Sequence, residues 1–207
     1  MTIENKREKI LEFFKIFIKD FIGKDLEILN TITPDPHTGL GGCTIPTAMT
    51  IIASTELIGF LLKKYGNTGE SKVNIAHFLN YDKASFFPAY YNSATIEKIF
   101  NYRHGMMHHF FPKFKGKFAG ICKANNDGNL FVTHHINGYE EESFNVTVLA
   151  ADFFEAIRKL QHFLATTNEE EVLDTMLRGL KNLDYYLQIS PSITACTTIN
   201  PGTPKNK

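Results

Sequence analysis

The chain has no tryptophan, few cysteines and no net charge: 22 Lys and Arg balance 22 Asp and Glu over 207 residues. Each shortage excludes something. With charges balanced there is no broad positive field of the kind that grips nucleic acid regardless of sequence, so contact with RNA would have to come from a local basic patch. Cys43, Cys122 and Cys196 are odd in number and far apart, without the close pairing that ligates zinc. A reducing compartment is the simple reading, and the expected location is cytoplasmic. The charged opening, Met1 to Lys9, leads directly into an amphipathic pattern with no apolar signal core ahead of it. The sequon Asn145-Val146-Thr147 therefore carries no weight. One apolar run, residues 45–62, approaches the length of a membrane span. It is diluted by Thr47, Thr50, Ser54 and Thr55, and Glu56 near its middle would be costly in lipid. The expectation is a buried core helix and no membrane contact.

What the chain does have is apolar bulk: 43% hydrophobic residues, with 18 Phe, enough for a core that needs no staple. Residues 4–30 predict a helix, with Ile10, Phe13, Phe14, Phe17, Ile18, Phe21 and Ile22 at helical spacing. The segment 33–42 holds two prolines and three glycines and reads as a long loop able to cover a cleft. It is no phosphate-binding loop, because no Gly-Lys-Ser/Thr follows. Thr44 can cap a second helix running to about Tyr65, with Pro46 in its first turn. Residues 72–91 suggest a short helix and an aromatic connector. Asn92 or Ser93 can cap a third major helix over 94–110, bounded by Pro112. Residues 118–124 and 130–136 look like strands joined as a hairpin by Asn125-Asn126-Asp127-Gly128, with a third strand at 143–148. A helix at 149–165 follows, then a capping-box pattern in Thr167 and Glu170 before a last helix at 169–188. The expected fold class is mainly α. A single helical-bundle domain spans 1–189 and carries a β-hairpin or small antiparallel sheet at about 117–148, and 190–207 forms a flexible tail.

The chemistry gathers in residues 96–112. On a helix, Ile96, Ile99, Phe100, Met107 and Phe110 form an apolar stripe, and Arg103 falls in its middle. A guanidinium there needs a partner, since burying its charge alone costs several kcal/mol. Glu56, the one charge in the apolar run, is the obvious candidate. The bland alternative is a purely structural ion pair between the two, although an oriented arginine is also a pre-organised one. His104 and His108 share a helix face, and His109 adjoins them. Imidazole can give or take a proton near neutral pH, and guanidinium suits a phosphate or its pentavalent transition state. Arg103 and His108 are therefore adequate parts for metal-free RNA cleavage in which the 2′-hydroxyl attacks and a cyclic phosphate forms.

Arg103-His104-Gly105-Met106-Met107-His108 fits the R-x4-6-H motif, and the chain here resembles the HEPN (higher eukaryotes and prokaryotes nucleotide-binding) superfamily. The resemblance implies a compact helical bundle that dimerises so that two motifs meet in one cleft. It implies Arg103 and His108 as the catalytic pair of a metal-independent endoribonuclease, of the kind found in toxin–antitoxin, defence or RNA-processing systems. A homodimer, an RNA or nucleotide ligand, and an antitoxin or other protein partner follow from the same likeness. So does the alternative of a non-catalytic nucleotide-, RNA- or protein-binding module. The chain departs from the toxin subgroup with a Tyr two residues after the His, having Phe110 there, so modification of a tyrosine at that point is not expected.

Further residues are weighed beside this pair. Lys113 and Lys115, with Lys117, form a local basic strip suited to an RNA backbone or to an ordinary solvated loop. His134 and His135 read as one solvent-facing and one packed residue; the rival is a metal-dependent hydrolase in which one of them joins His104 and His108. HExxH is absent and acidic residues do not cluster nearby, so no metal and no cofactor are assigned. His37 and His77 read as surface or packing residues.

Overall fold

The computed structural model describes residues 1–37, 41–64, 69–109, 113–114, 117–118, 120–124, 128–136 and 139–183. The expected tail at 190–207, together with Tyr65, Phe110, Pro112 and Lys115, lies outside the described residues. The fold is mainly helical with a small mixed sheet. It is organised around α3 (Thr44–Leu62), which packs against the helices Lys24–Thr31, Ser71–Leu79, Ser93–His109, Val146–Thr166 and Glu170–Asn182. A helix apolar on all sides belongs in a core, and Ile51, Ile52, Ile58 and Leu61 are buried. This helix is long and apolar enough to cross a membrane, but 61% of its apolar window is buried inside the chain. Its N-cap is Cys43 rather than Thr44, and no side chain caps it. Gly41, Gly42 and Cys43 all have positive φ, which turns the loop sharply into the helix. Gly42 lies so close to Pro34 that a Cβ would sit 2.7 Å from the Pro34 nitrogen.

The N-terminal helix runs without a break but in three parts: α1 (Ile3–Phe13), a π-helical segment (Phe14–Gly23) and α2 (Lys24–Thr31). Its sequence explains the wide centre. Lys6, Ile10, Phe14 and Ile18 are buried at four-residue steps, and in an α-helix each such step drifts by about 40°. The i→i+5 bonds of a π-helix widen the turn past four residues and keep that column facing the core. The neighbouring column stays in line too: Phe17 stacks on Phe13 at 5.4 Å and on Phe21 at 5.9 Å. Phe21 is exposed rather than part of the core.

α4 (Ser71–Leu79) and α5 (Ser93–His109) pack beside α3. Asn92 caps α5, its Oδ1 accepting from the Ala94 and Thr95 amides at 3.0 and 3.1 Å. Beyond it lie β1 (Lys113–Phe114) and β2 (Lys117–Phe118), paired with each other. β3 (Gly120–Cys122), β4 (Phe131–Ile136) and β5 (Tyr139–Asn145) form a separate sheet in the order β3-β5-β4. The expected hairpin between 118–124 and 130–136 is therefore a correction. β3 lies parallel to β5, and the antiparallel hairpin is β4–β5. The Asn-Asn-Asp-Gly segment connects strands that are not sheet neighbours. The third strand ends at Asn145, because the Asn145 side chain is buried and committed. It caps α6 (Val146–Thr166) through the Thr147 amide and bonds Ala124 and Asn129 at the ends of the other strands. α7 (Glu170–Asn182) closes the bundle against α1 and α3. The capping box expected there does not form. Thr167 Oγ1 accepts from the Glu169 amide at 3.2 Å, and the Glu170 carboxylate binds Lys6 at 2.6 Å instead.

Candidate active site on the third major helix

The buried stripe of α5 is Ile96, Ile99, Tyr102 and Met106, not the column through Phe100 and Met107 that the sequence suggested. Met107 is 53% exposed. Tyr102 displaces it because an aromatic ring with one polar tip can be fully enclosed once that tip is bonded. Its hydroxyl donates to the Glu142 carbonyl at 3.1 Å and its ring lies 5.1 Å from Phe144. Burial, and then the Glu142 carboxylate, push the Tyr102 phenol above its ordinary pKa, so it stays a neutral donor. Lys98 reinforces the same side, pairing with Glu142 at 2.6 Å over the Phe131 ring. The small sheet thus braces one side of α5.

Arg103 lies at the border of the buried stripe. Its Nη2 donates to Glu56 Oε2 at 2.8 Å, with the two side chains 24% and 17% exposed. Ser71 Oγ donates to the other carboxylate oxygen at 2.5 Å. Glu56 therefore ties α3 to both α4 and α5. Among the described residues Glu56 is the one partner of Arg103, and Nη1 and Nε are left to point elsewhere. The partnership of Glu56 and Arg103 is legible in the sequence. Ser71 is not: at the start of a helix a serine reads as a cap, and only the packing of α4 on α3 turns its hydroxyl onto Glu56.

His104 and His108 are exposed, and their ring centroids are 4.4 Å apart. His108 follows Arg103 by five positions, which on a helix places them about 140° apart, with His104 between. Among the described residues no hydrogen bond or ion pair joins Arg103 to His108. His109 ends α5, Lys113 opens β1, and the side chains of both lie outside the described residues, as does Lys115 entirely. His134 and His135 sit on opposite faces of β4, half-buried and exposed, across from Glu141 and Glu140 of β5. Among the described residues no group of three or more His, Cys, Asp or Glu side chains converges as a metal site. His77 is half-buried, meets Tyr81 edge-on at 5.5 Å, and leaves its Nε2 buried without a partner among the described residues.

The arrangement offers a guanidinium fixed in direction with one carboxylate partner among the described residues, and two solvent-facing imidazoles, one on the adjoining residue and one on the next turn. No protein-family model, curated protein or solved structure matches the chain.

Proposed function

We propose that this protein is a metal-independent endoribonuclease of HEPN type, acting in the cytoplasm, with Arg103 and His108 as its catalytic residues. The observation that carries the proposal is the Arg103–Glu56 pair: a carboxylate 17% exposed aims the guanidinium while leaving donors open. A planar donor array held in place by protein, not by water, suits the charge that develops on a phosphorane. His108, free on the helix surface, takes the proton of the 2′-hydroxyl or returns one to the leaving oxygen. Because Arg103 and His108 diverge around α5, the cleft is completed by α5 of a second copy, so that the Arg of one chain and the His of the other flank one phosphate. Glu56 positions Arg103. His104, His109, Lys113 and Lys115 are the residues that would contact the RNA backbone in this reading. A toxin or defence role with a protein partner is part of the same proposal.

The test is cleavage of single-stranded RNA in the presence of EDTA. Cleavage to 2′,3′-cyclic ends that vanishes in both Arg103→Ala and His108→Ala supports the reading. Cleavage that requires a divalent ion, or that survives both substitutions, defeats it. A second reading is favoured by the same ion pair, since Glu56 neutralises the guanidinium: a non-catalytic module that binds nucleotide or RNA. It predicts an RNA-dependent rise in melting temperature, lost in Arg103→Ala, with no turnover.

A further inference from the structure

We propose that His104 and His108 form a surface chelate for a borderline divalent transition metal, with zinc, nickel and copper as its ions. Residues four apart on a helix have neighbouring Cβ atoms, and both side chains lean toward the helix N-terminus. Here that geometry brings the two imidazoles to a centroid separation of 4.4 Å with their planes tilted 49°. Two tilted rings at that distance can converge one nitrogen each on a single point. An ion bound at 2.0–2.1 Å to each needs its two donor nitrogens only about 3.3 Å apart. Both rings are exposed, and neither is hydrogen-bonded or ion-paired to any described residue, so their lone pairs are open to an incoming ion. Among the described side chains of α5's last turns no other adds a hard ligand: Arg103 is a cation engaged by Glu56, and Met107 is an exposed thioether.

The donor set decides the class of ion. Two neutral imidazoles without carboxylates suit zinc, nickel and copper and do not suit magnesium or calcium, which require oxygen ligands. Two protein ligands leave the remaining tetrahedral positions to water or to an added ligand. A bound ion takes up the nitrogen lone pair that His108 needs for proton transfer, so the site is read by binding and not by cleavage. Its success or failure is independent of the ribonuclease assignment.

The experiment is equilibrium dialysis of metal-stripped protein against zinc chloride in modest molar excess, with the metal in both compartments quantified. Circular dichroism confirms that each variant is folded. The expected result is one zinc per chain, unaffected by excess magnesium. His104→Ala and His108→Ala should each weaken binding by at least the roughly tenfold that even a lost supporting partner costs. His104→Gln, which keeps a polar side chain but no imidazole, should behave like His104→Ala. Absence of zinc uptake by the wild-type chain overturns the proposal. So does uptake unchanged in both alanine variants, or uptake that follows His134→Ala instead.

Discussion

Lys6 on α1 and Arg103 on α5 are both drawn toward the interior, and they are held in different ways. The Lys6 side chain is 10% exposed, and its two carboxylate partners, Glu170 at 2.6 Å and Asp174 at 2.7 Å, stand at the surface with 56% and 47% exposure. Arg103 is 24% exposed, and its partner Glu56 is the more deeply placed of the pair at 17%. In the first case the cation is enclosed and its partners are wet, which makes a staple between α1 and α7. In the second both partners are half-buried, the anion slightly more so, and the contact is one-to-one. A compact ammonium with two carboxylates has little left to offer a ligand, whereas a planar five-donor guanidinium with one described partner has much. Burial of a charge alone does not mark a site; which partner is enclosed, and how many donors remain, separates the two.

The comparison breaks most visibly at Arg103 itself. Arg103→Ala should lower RNA cleavage by on the order of 10²–10³-fold, the effect of losing one pre-organised donor group at a developing anion. Lys6→Met should leave cleavage at the wild-type rate in the same assay. Equal losses in the two variants would erase the distinction. Glu56→Gln comes next. It removes the enclosed charge that aims Arg103, so chemical denaturation should show a loss of about 1–3 kcal/mol. Cleavage should fall by about tenfold, in kcat more than in KM. A Gln variant that is destabilised but fully active would make Glu56 structural only. Ser71→Ala should cost about 1 kcal/mol or less, because it deletes one hydrogen bond and leaves the Arg103 contact in place. A larger loss than in Glu56→Gln would show that the α3–α4 link, not the ion pair, organises the region.

The smallest effect concerns the staple. The Asp174 carboxylate first, and Glu170 second, hold the Lys6 ammonium above its ordinary pKa. Because the folded value is the higher one, the stabilisation is fully present below the unfolded lysine pKa and fades as pH rises through the folded value. Melting temperatures of wild type and Lys6→Met should therefore differ slightly at neutral pH and converge in strongly alkaline solution. A gap that widens with rising pH would contradict the assignment.

Much was legible in residues alone. The burial of residues 45–62, the four major helices that follow the 33–42 loop, and the Glu56–Arg103 partnership all follow from periodicity and from the cost of an unpaired charge in an apolar stretch. These are local quantities, or pairings forced by the scarcity of alternatives. Other features lay beyond that reach. Tyr102 rather than Phe100 or Met107 fills the buried stripe, since a sheet formed by residues far along the chain supplies both a carbonyl for its hydroxyl and aromatic rings for its face. The Asn-Asn-Asp-Gly signal suggested that the strands flanking it pair with each other, yet β5 takes the middle of the sheet, because strand order is settled by which edges can be paired and covered.

The sequence by itself determined a helical core around one apolar helix, an arginine obliged to find a partner with Glu56 the obvious one, and two histidines sharing a helix face. Only the tertiary structure decided how deeply the two charges sit, that Ser71 shares the carboxylate, and that the His104 and His108 rings meet. Those outcomes depend on where helices cross and how far a side chain must reach, and such distances are set by packing across the whole fold rather than by spacing along one segment.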